Sequence, residues 1–138
     1  TFTQNMTLSV FAAARPVVAP GKEGVVYYPS MGLQVSTDNG KTFTRMDSLA
    51  ACMAVGLGKG KTDSDPYTIF VWGKPTNDDS IGLYWSEDEG KTWSKVSDDQ
   101  HQFGGPGNGY FVVGDMNKYG RVYMSTVGLG VVYGDLVQ

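Results

Sequence analysis

Apolar positions along this chain come in short runs, and most of them alternate with polar ones. Pro16-Val-Val-Ala19, Val25-Val-Tyr-Tyr28, Ala51-Cys-Met-Ala-Val55, Thr68-Ile-Phe-Val-Trp72, Tyr110-Phe-Val-Val113, Arg121-Val-Tyr-Met-Ser125 and Gly130-Val-Val-Tyr133 follow one another. Turn signals separate them at Pro20-Gly21, Gly58 to Asp65, Pro75 to Asp79 and Gly104 to Gly109. Short runs of β-branched and aromatic residues bounded by Gly, Pro, Asn and Asp read as strands. No window sustains a 3.6-residue period. The pattern predicts an all-β chain, with one short turn at Ser48 to Ala51.

An internal repeat organises these strands. Gly32 to Met46 (GLQVSTDNGKTFTRM) aligns without gaps on Gly82 to Val96 (GLYWSEDEGKTWSKV), 50 residues on, with seven of fifteen positions identical. Each copy predicts a hairpin, with apolar residues leading into Ser-x-Asp-x-Gly-Lys and Thr-aromatic-Ser/Thr-basic alternating away from it. Asp38 and Asp88 are expected to bond the backbone two residues on, and Gly40 and Gly90 to take positive φ. Thr1-Phe2-Thr3-Gln4 reads like Thr42-Phe43-Thr44-Arg45 without its front half, and Gly130 to Asp135 (GVVYGD) resembles the opening half of the repeat. Four strands per repeat of about 40–50 residues is the pattern of a propeller blade. Residues 1–4 then close one blade, 12–46 and 50–96 form two more, and 110–135 give three strands of a last one. On that reading the fold is a partial β-propeller of about three blades, where a complete one needs about four to eight. With no initiator Met or signal peptide ahead of Thr1, the chain reads as a mature product or part of a longer protein.

Composition narrows the function classes. Eleven basic and fourteen acidic side chains give a formal charge of −3, which argues against a nucleic-acid or anionic-membrane surface. No apolar run approaches the ~20 residues that span a bilayer. The single Cys52 and single His101 exclude an internal disulfide framework and a Cys-based zinc site. The expectation is no metal and no cofactor, with Cys52 a buried, inert thiol.

The Ser-x-Asp-x-Gly-x-Thr-Phe/Trp turns, Ser36, Asp38, Gly40, Thr42, Phe43 and Ser86, Asp88, Gly90, Thr92, Trp93, resemble the Asp-box of sialidases, sortilin-like receptors and several glycosidases. The surrounding text is more specific. Pro20-Gly-Lys-Glu-Gly24, Ala54 to Lys59 (AVGLGK), Asp98 to Gly104 (DDQHQFG), Tyr119-Gly-Arg-Val-Tyr123 and Val131 to Asp135 (VVYGD) resemble the last blades of glycoside hydrolase family 74. The resemblance runs from about Phe11 to Asp135 and departs at Val127-Gly-Leu-Gly130, where many members read Asn-Gly-Arg-Gly. It implies a secreted, extracellular, inverting hydrolase of the β-1,4-glucan backbone of xyloglucan, built from two seven-bladed propellers. It also implies that both catalytic aspartates lie upstream of the matching region, so this chain supplies blades and no catalytic residue. The implied partners are the polysaccharide and the remaining propeller blades, in cis or by self-association. The alternative is a non-catalytic Asp-box module that binds carbohydrate or protein. A sialidase fits worst, since only Arg15, Arg45 and Arg121 are present to hold a carboxylate-bearing sugar.

Individual candidates each have a plainer reading. The acidic clusters Asp98-Asp99, Asp78-Asp79 and Asp63/Asp65 read as solvated turns rather than a catalytic pair. If the boxes occupy one rim, the links between blades and the Pro29-Ser-Met31 and Lys74 to Ser80 turns occupy the other, where the family's ligand loops lie. Met31, His101, Gln102 and Phe103 are therefore the substrate-binding candidates, with a structural role bridging blades as the other reading of His101. Trp93, Phe43 and Phe2 are expected to pack hairpins onto blades, and Trp72 and Trp85 to lie in the core. Gly56 to Thr62 lacks the phosphate-loop spacing and reads as a Gly-rich turn. Asn5-Met6-Thr7 is a glycosylation sequon, which makes Asn5 an exposed candidate.

Overall fold

The computed structural model describes residues 1–4, 14–96, 105–106 and 111–136. Eleven strands form three antiparallel sheets among these residues, with no helix. The first sheet is β1 (Val17–Val18), β2 (Val26–Ser30), β3 (Gly32–Ser36) and β4 (Thr44–Met46), in that spatial order. The second repeats it with β5 (Leu49–Gly58), β6 (Thr68–Pro75), β7 (Gly82–Ser86) and β8 (Ser94–Lys95). The third has three strands, β9 (Val112–Gly114), β10 (Arg121–Ser125) and β11 (Val131–Asp135), with β10 central. Every link along a sheet is a sequential hairpin, as alternating patterns bounded by turn residues dictate.

Register decides what is buried. Tyr84 pairs with Val71 and Lys95, and Trp85 pairs with Phe70 and Ser94. Successive residues point to opposite faces, so the second sheet has two apolar faces. Cys52, Val55, Leu57, Ile69, Val71 and Tyr84 join Leu33 and Ala19 of the first sheet's region in one core. Ala54, Phe70 and Leu83 face the third sheet's Val112, Val122 and Met124 in a second core. Leu33, Phe70 and Val71 are fully buried, and each such side chain stabilises the fold by about 1.5–3 kcal/mol over its exposed state.

Glycine sets how closely the second and third sheets approach. A Cβ on Gly56 would sit 2.2 Å from the Val112 carbonyl oxygen, and one on Gly114 would sit 2.5 Å from Gly58 Cα. The Lys59 amide donates to the Asp115 carbonyl at 2.8 Å across this contact. Gly56 and Gly58 therefore belong to β5, and only the segment after Gly58 is a turn, which corrects the reading of Gly56 to Thr62 as a loop throughout.

Three further expectations change. The turn expected at Ser48 to Ala51 is confined to Asp47 and Ser48, because Leu49 is fully buried and already pairs with Pro75. Pro29 and Ser30 lie within β2 and are buried, so only Met31 is left at that hairpin's turn. Phe2 does not pack a hairpin: Thr1–Gln4 lies outside every sheet, and Phe2 is fully exposed.

Candidate functional site

The two boxes are built alike, from the serine outward. Ser36 and Ser86 end their strands buried, 1% and 2% exposed. The Ser36 hydroxyl donates to Asp38 Oδ1 at 2.8 Å and accepts the Gly40 amide at 2.9 Å. Asp38 in turn accepts the Thr42 amide at 2.9 Å and its hydroxyl at 2.6 Å. In the second box Ser86, Asp88, Gly90 and Thr92 repeat these bonds at 2.8, 2.8, 2.9 and 2.6 Å. The aspartates thus grip the threonine four residues on, and the serine hydroxyl, not the aspartate, takes the amides two and four residues after it. Asn39 and Glu89 have φ of 62° and 61°, ahead of Gly40 and Gly90 at 76° and 86°. Two successive positive φ values closed by a bond from Lys41 to Asp38, and from Lys91 to Asp88, give the hand of a type I′ hairpin turn.

These bonds fix the electrostatics. The Thr42 hydroxyl and amide and the Ser36 hydroxyl hold the Asp38 carboxyl down at about 2. Asp88 is partly desolvated, which pushes its carboxyl up, but the same bonds from Thr92 and Ser86 outweigh that and bring it to about 2. The Ser80 amide and hydroxyl lower Asp78, and the Asn117 amide, with help from that of Lys118, lowers Asp115. Arg121 and Lys118 hold Asp135 far below the usual range. A general acid for glycoside cleavage needs a carboxyl kept protonated, with its pKa raised. Every aspartate that shifts here shifts the other way. Among the described residues no group of three His, Cys, Asp or Glu side chains is placed to hold a metal ion.

The aromatic candidates resolve into packing. The Trp93 indole lies against the first core and donates to Ser48 Oγ at 2.9 Å. Phe43 meets Tyr28 edge-on at 6.4 Å. Trp85 stacks on buried Phe70 at 6.5 Å and also meets Tyr119 at 6.2 Å, while Tyr119 donates to Glu87. None of these rings is a free platform for sugar. Ser48, in the link from β4 to β5, also donates to the Gly90 carbonyl. That link therefore touches the second box, and its Ser48 carbonyl also accepts the Thr76 amide at 3.0 Å, which sets the link beside the Lys74 to Ser80 turn as the repeat pattern predicts. Burial pushes the Cys52 thiol far up, out of reach of ionisation.

Of the substrate-binding candidates, Met31 is described, and it stands 64% exposed at the turn between β2 and β3. His101, Gln102, Phe103, Asp98, Asp99 and the sequon at Asn5 lie outside the described residues. Sequence reasoning missed Ile81, which is 55% exposed at the equivalent turn of the second sheet. The 50-residue offset from Met31 was the signal that would have found it.

Three stacked antiparallel sheets with a Ser-x-Asp hairpin closing each complete one define a β-propeller array. Solved structures agree: a GH74 enzyme from Niastella koreensis superposes with a TM-score of 0.80 and 41% identity, covering 88% of this chain and 18% of that one. The GH74 xyloglucanase from Xanthomonas campestris gives 0.77 and 27%, covering 98% and 19%. No family model matches the sequence. Among curated proteins, Xyloglucanase Xgh74A of Acetivibrio thermocellus is 37% identical over 118 residues, which is 84% of this chain and 14% of that protein. The oligoxyloglucan-reducing end-specific xyloglucanase of Emericella nidulans is 30% identical over 135 residues, 94% and 16%. The chain belongs with the glycoside hydrolase family 74 xyloglucanases, and it spans about one seventh of the length of the curated relatives it matches.

Proposed function

We propose that this chain is part of a secreted, inverting glycoside hydrolase that cleaves the β-1,4-glucan backbone of xyloglucan, to which it contributes propeller blades and no catalytic residue. The observation that carries this is the 37% identity to a xyloglucanase across 84% of the chain. The downward-shifted aspartates support the second half of the reading, since none is suited to protonate a leaving group. Residues 12–46 and 50–96 serve as whole blades, 110–135 as three strands of another, and 1–4 as the end of a fourth. The polysaccharide meets the turn that carries Met31 and the segment His101 to Phe103. Asn5 is a candidate glycosylation site. The open third sheet packs on other blades of the same protein in cis.

A chimera tests this directly. Replacing the matching 118 residues of the Acetivibrio enzyme with this chain should give a cooperatively melting protein that still hydrolyses xyloglucan. Substituting Met31 by Asp in that chimera should raise KM for xyloglucan with little change in its melting temperature. A stably folded chimera without xyloglucan hydrolysis would overturn the reading.

A further inference from the structure

We propose that Asn39 is a deamidation site whose rate the first box sets, with Ser36 holding the Gly40 amide nitrogen away from the Asn39 side chain and releasing it when the box opens. The proposal does not depend on what the parent protein hydrolyses.

Asparagine followed by glycine is the pair most open to this chemistry, because glycine has no Cβ to hinder the attacking nitrogen. Asn39-Gly40 and Asn108-Gly109 are the two such pairs in the sequence, and Asn108 lies outside the described residues. Asn39 is exposed at the tip of the first box. In the reaction the Gly40 nitrogen loses its proton to hydroxide and attacks Asn39 Cγ. The new C–N bond closes a five-membered imide ring, the bond to the side-chain nitrogen breaks, and ammonia leaves. Water then adds to one of the two ring carbonyls and reopens the ring to aspartate or isoaspartate. Water is the co-reactant, and nothing is oxidised or reduced. Glu89 stands in the same place in the second box with nearly the same φ. It has no side-chain amide to lose, so of the two boxes only the first carries the reaction.

The closed box opposes each step of ring closure. The Gly40 amide donates to Ser36 Oγ at 2.9 Å, which keeps on the nitrogen the proton it must lose. Ser36 is buried, and its hydroxyl is oriented by its own bond to Asp38 Oδ1 at 2.8 Å. In a turn of type I′ hand the first central residue has ψ of about +30°, which points the Gly40 nitrogen away from the Asn39 Cβ. Ring closure needs that nitrogen to swing about the Asn39 Cα–C bond until it lies alongside Cβ, and the swing carries its N–H off Ser36. Asn39 is also pinned from behind, its amide donating to the Gly24 carbonyl at 3.1 Å. A Cβ on Gly24 would sit 3.2 Å from the Asn39 nitrogen, so the box and the neighbouring turn are in close contact. Isoaspartate lengthens the backbone by one carbon at this point, so the modified box cannot remake both bonds, and it carries a second carboxylate beside Asp38. Modification therefore records that the box has opened.

Peptide mapping by mass spectrometry at mildly alkaline pH tests this, since trypsin releases Asn39 in the fragment Glu23–Lys41. In urea the protein that carries this chain should convert Asn39 and Asn108 at comparable rates. In buffer Asn39 should convert at least roughly tenfold more slowly than in urea. Ser36→Ala should restore most of the lost rate, measured at a temperature where circular dichroism shows the strands retained. Thr42→Val, which removes the exposed hydroxyl's bond to Asp38, should raise the rate by less. Ser86→Ala, which breaks the equivalent bond in the second box, should leave it within about twofold. Conversion of Asn39 in buffer as fast as in urea would overturn the proposal. So would a rate that Ser36→Ala leaves unchanged, or one that Ser86→Ala raises equally, which would place control in the fold as a whole.

Discussion

Ser86 and Asp88 divide the second box between them, the serine holding the turn's amides and the aspartate holding the threonine that starts the return strand. Removing the buried Ser86 hydroxyl strands the Gly90 amide in a buried setting, so Ser86→Ala is expected to cost about 1–3 kcal/mol. Urea unfolding measures this, with the exposed Ser94→Ala as the near-neutral control. Glu89 holds a positive φ that in the first box belongs to Asn39. Asn tolerates that region better than a longer side chain, so Glu89→Asn should raise stability by up to about 1 kcal/mol. Acid gives a third test. Asp38 and Asp88 sit at about 2 against an ordinary 3.8. A lowered folded-state pKa stabilises fully above the unfolded value and loses that contribution as pH falls through the folded one. Unfolding midpoints should therefore drop between about pH 4 and 2, and Asp88→Asn should flatten that drop. A midpoint in the double variant Asp38→Asn/Asp88→Asn that still falls as steeply would contradict it.

At the scale of elements, strand positions were largely legible because a half-buried strand must alternate, and β10 falls where Arg121 to Ser125 predicted it. The hairpins were legible from Asp-x-Gly-Lys. Their internal bonding was not, since pattern alone cannot say that Ser36 rather than Asp38 takes the Gly40 amide. Gly56 misled for a related reason. A glycine in a Gly-rich run looks like a turn residue, but here it is a strand residue whose missing Cβ admits the Val112 carbonyl from another sheet, and such long-range contacts leave no local signature. Gly56→Ala should consequently be among the most damaging single substitutions, costing about 3 kcal/mol or more. Circular dichroism melts would register it as a large fall in midpoint, whereas Gly128→Ala would test a glycine with open space around it but a φ of 89°.

The whole molecule reads as an array of sheets each needing a neighbour. The second has neighbours on both faces, and the third exposes Val113, Val131 and Tyr133 on one. A site for sugar chemistry was legible only through resemblance, because the residues that would touch substrate are few and Asp38, Asp78, Asp88, Asp115 and Asp135 are held by turn bonds or ion pairs. The purified 138-residue chain should accordingly release no reducing ends from xyloglucan above a buffer blank. Release that a substitution of one of its own aspartates abolishes would sink that expectation.

The central claim is that these sheets are blades of a larger family 74 hydrolase whose catalytic aspartates lie elsewhere in the protein. Reading the coding sequence upstream of the Thr1 codon tests it most directly. The account predicts an open frame of several hundred codons with further Ser-x-Asp-x-Gly-x-Thr hairpins. A stop codon followed by a signal peptide immediately ahead of Thr1 would contradict it.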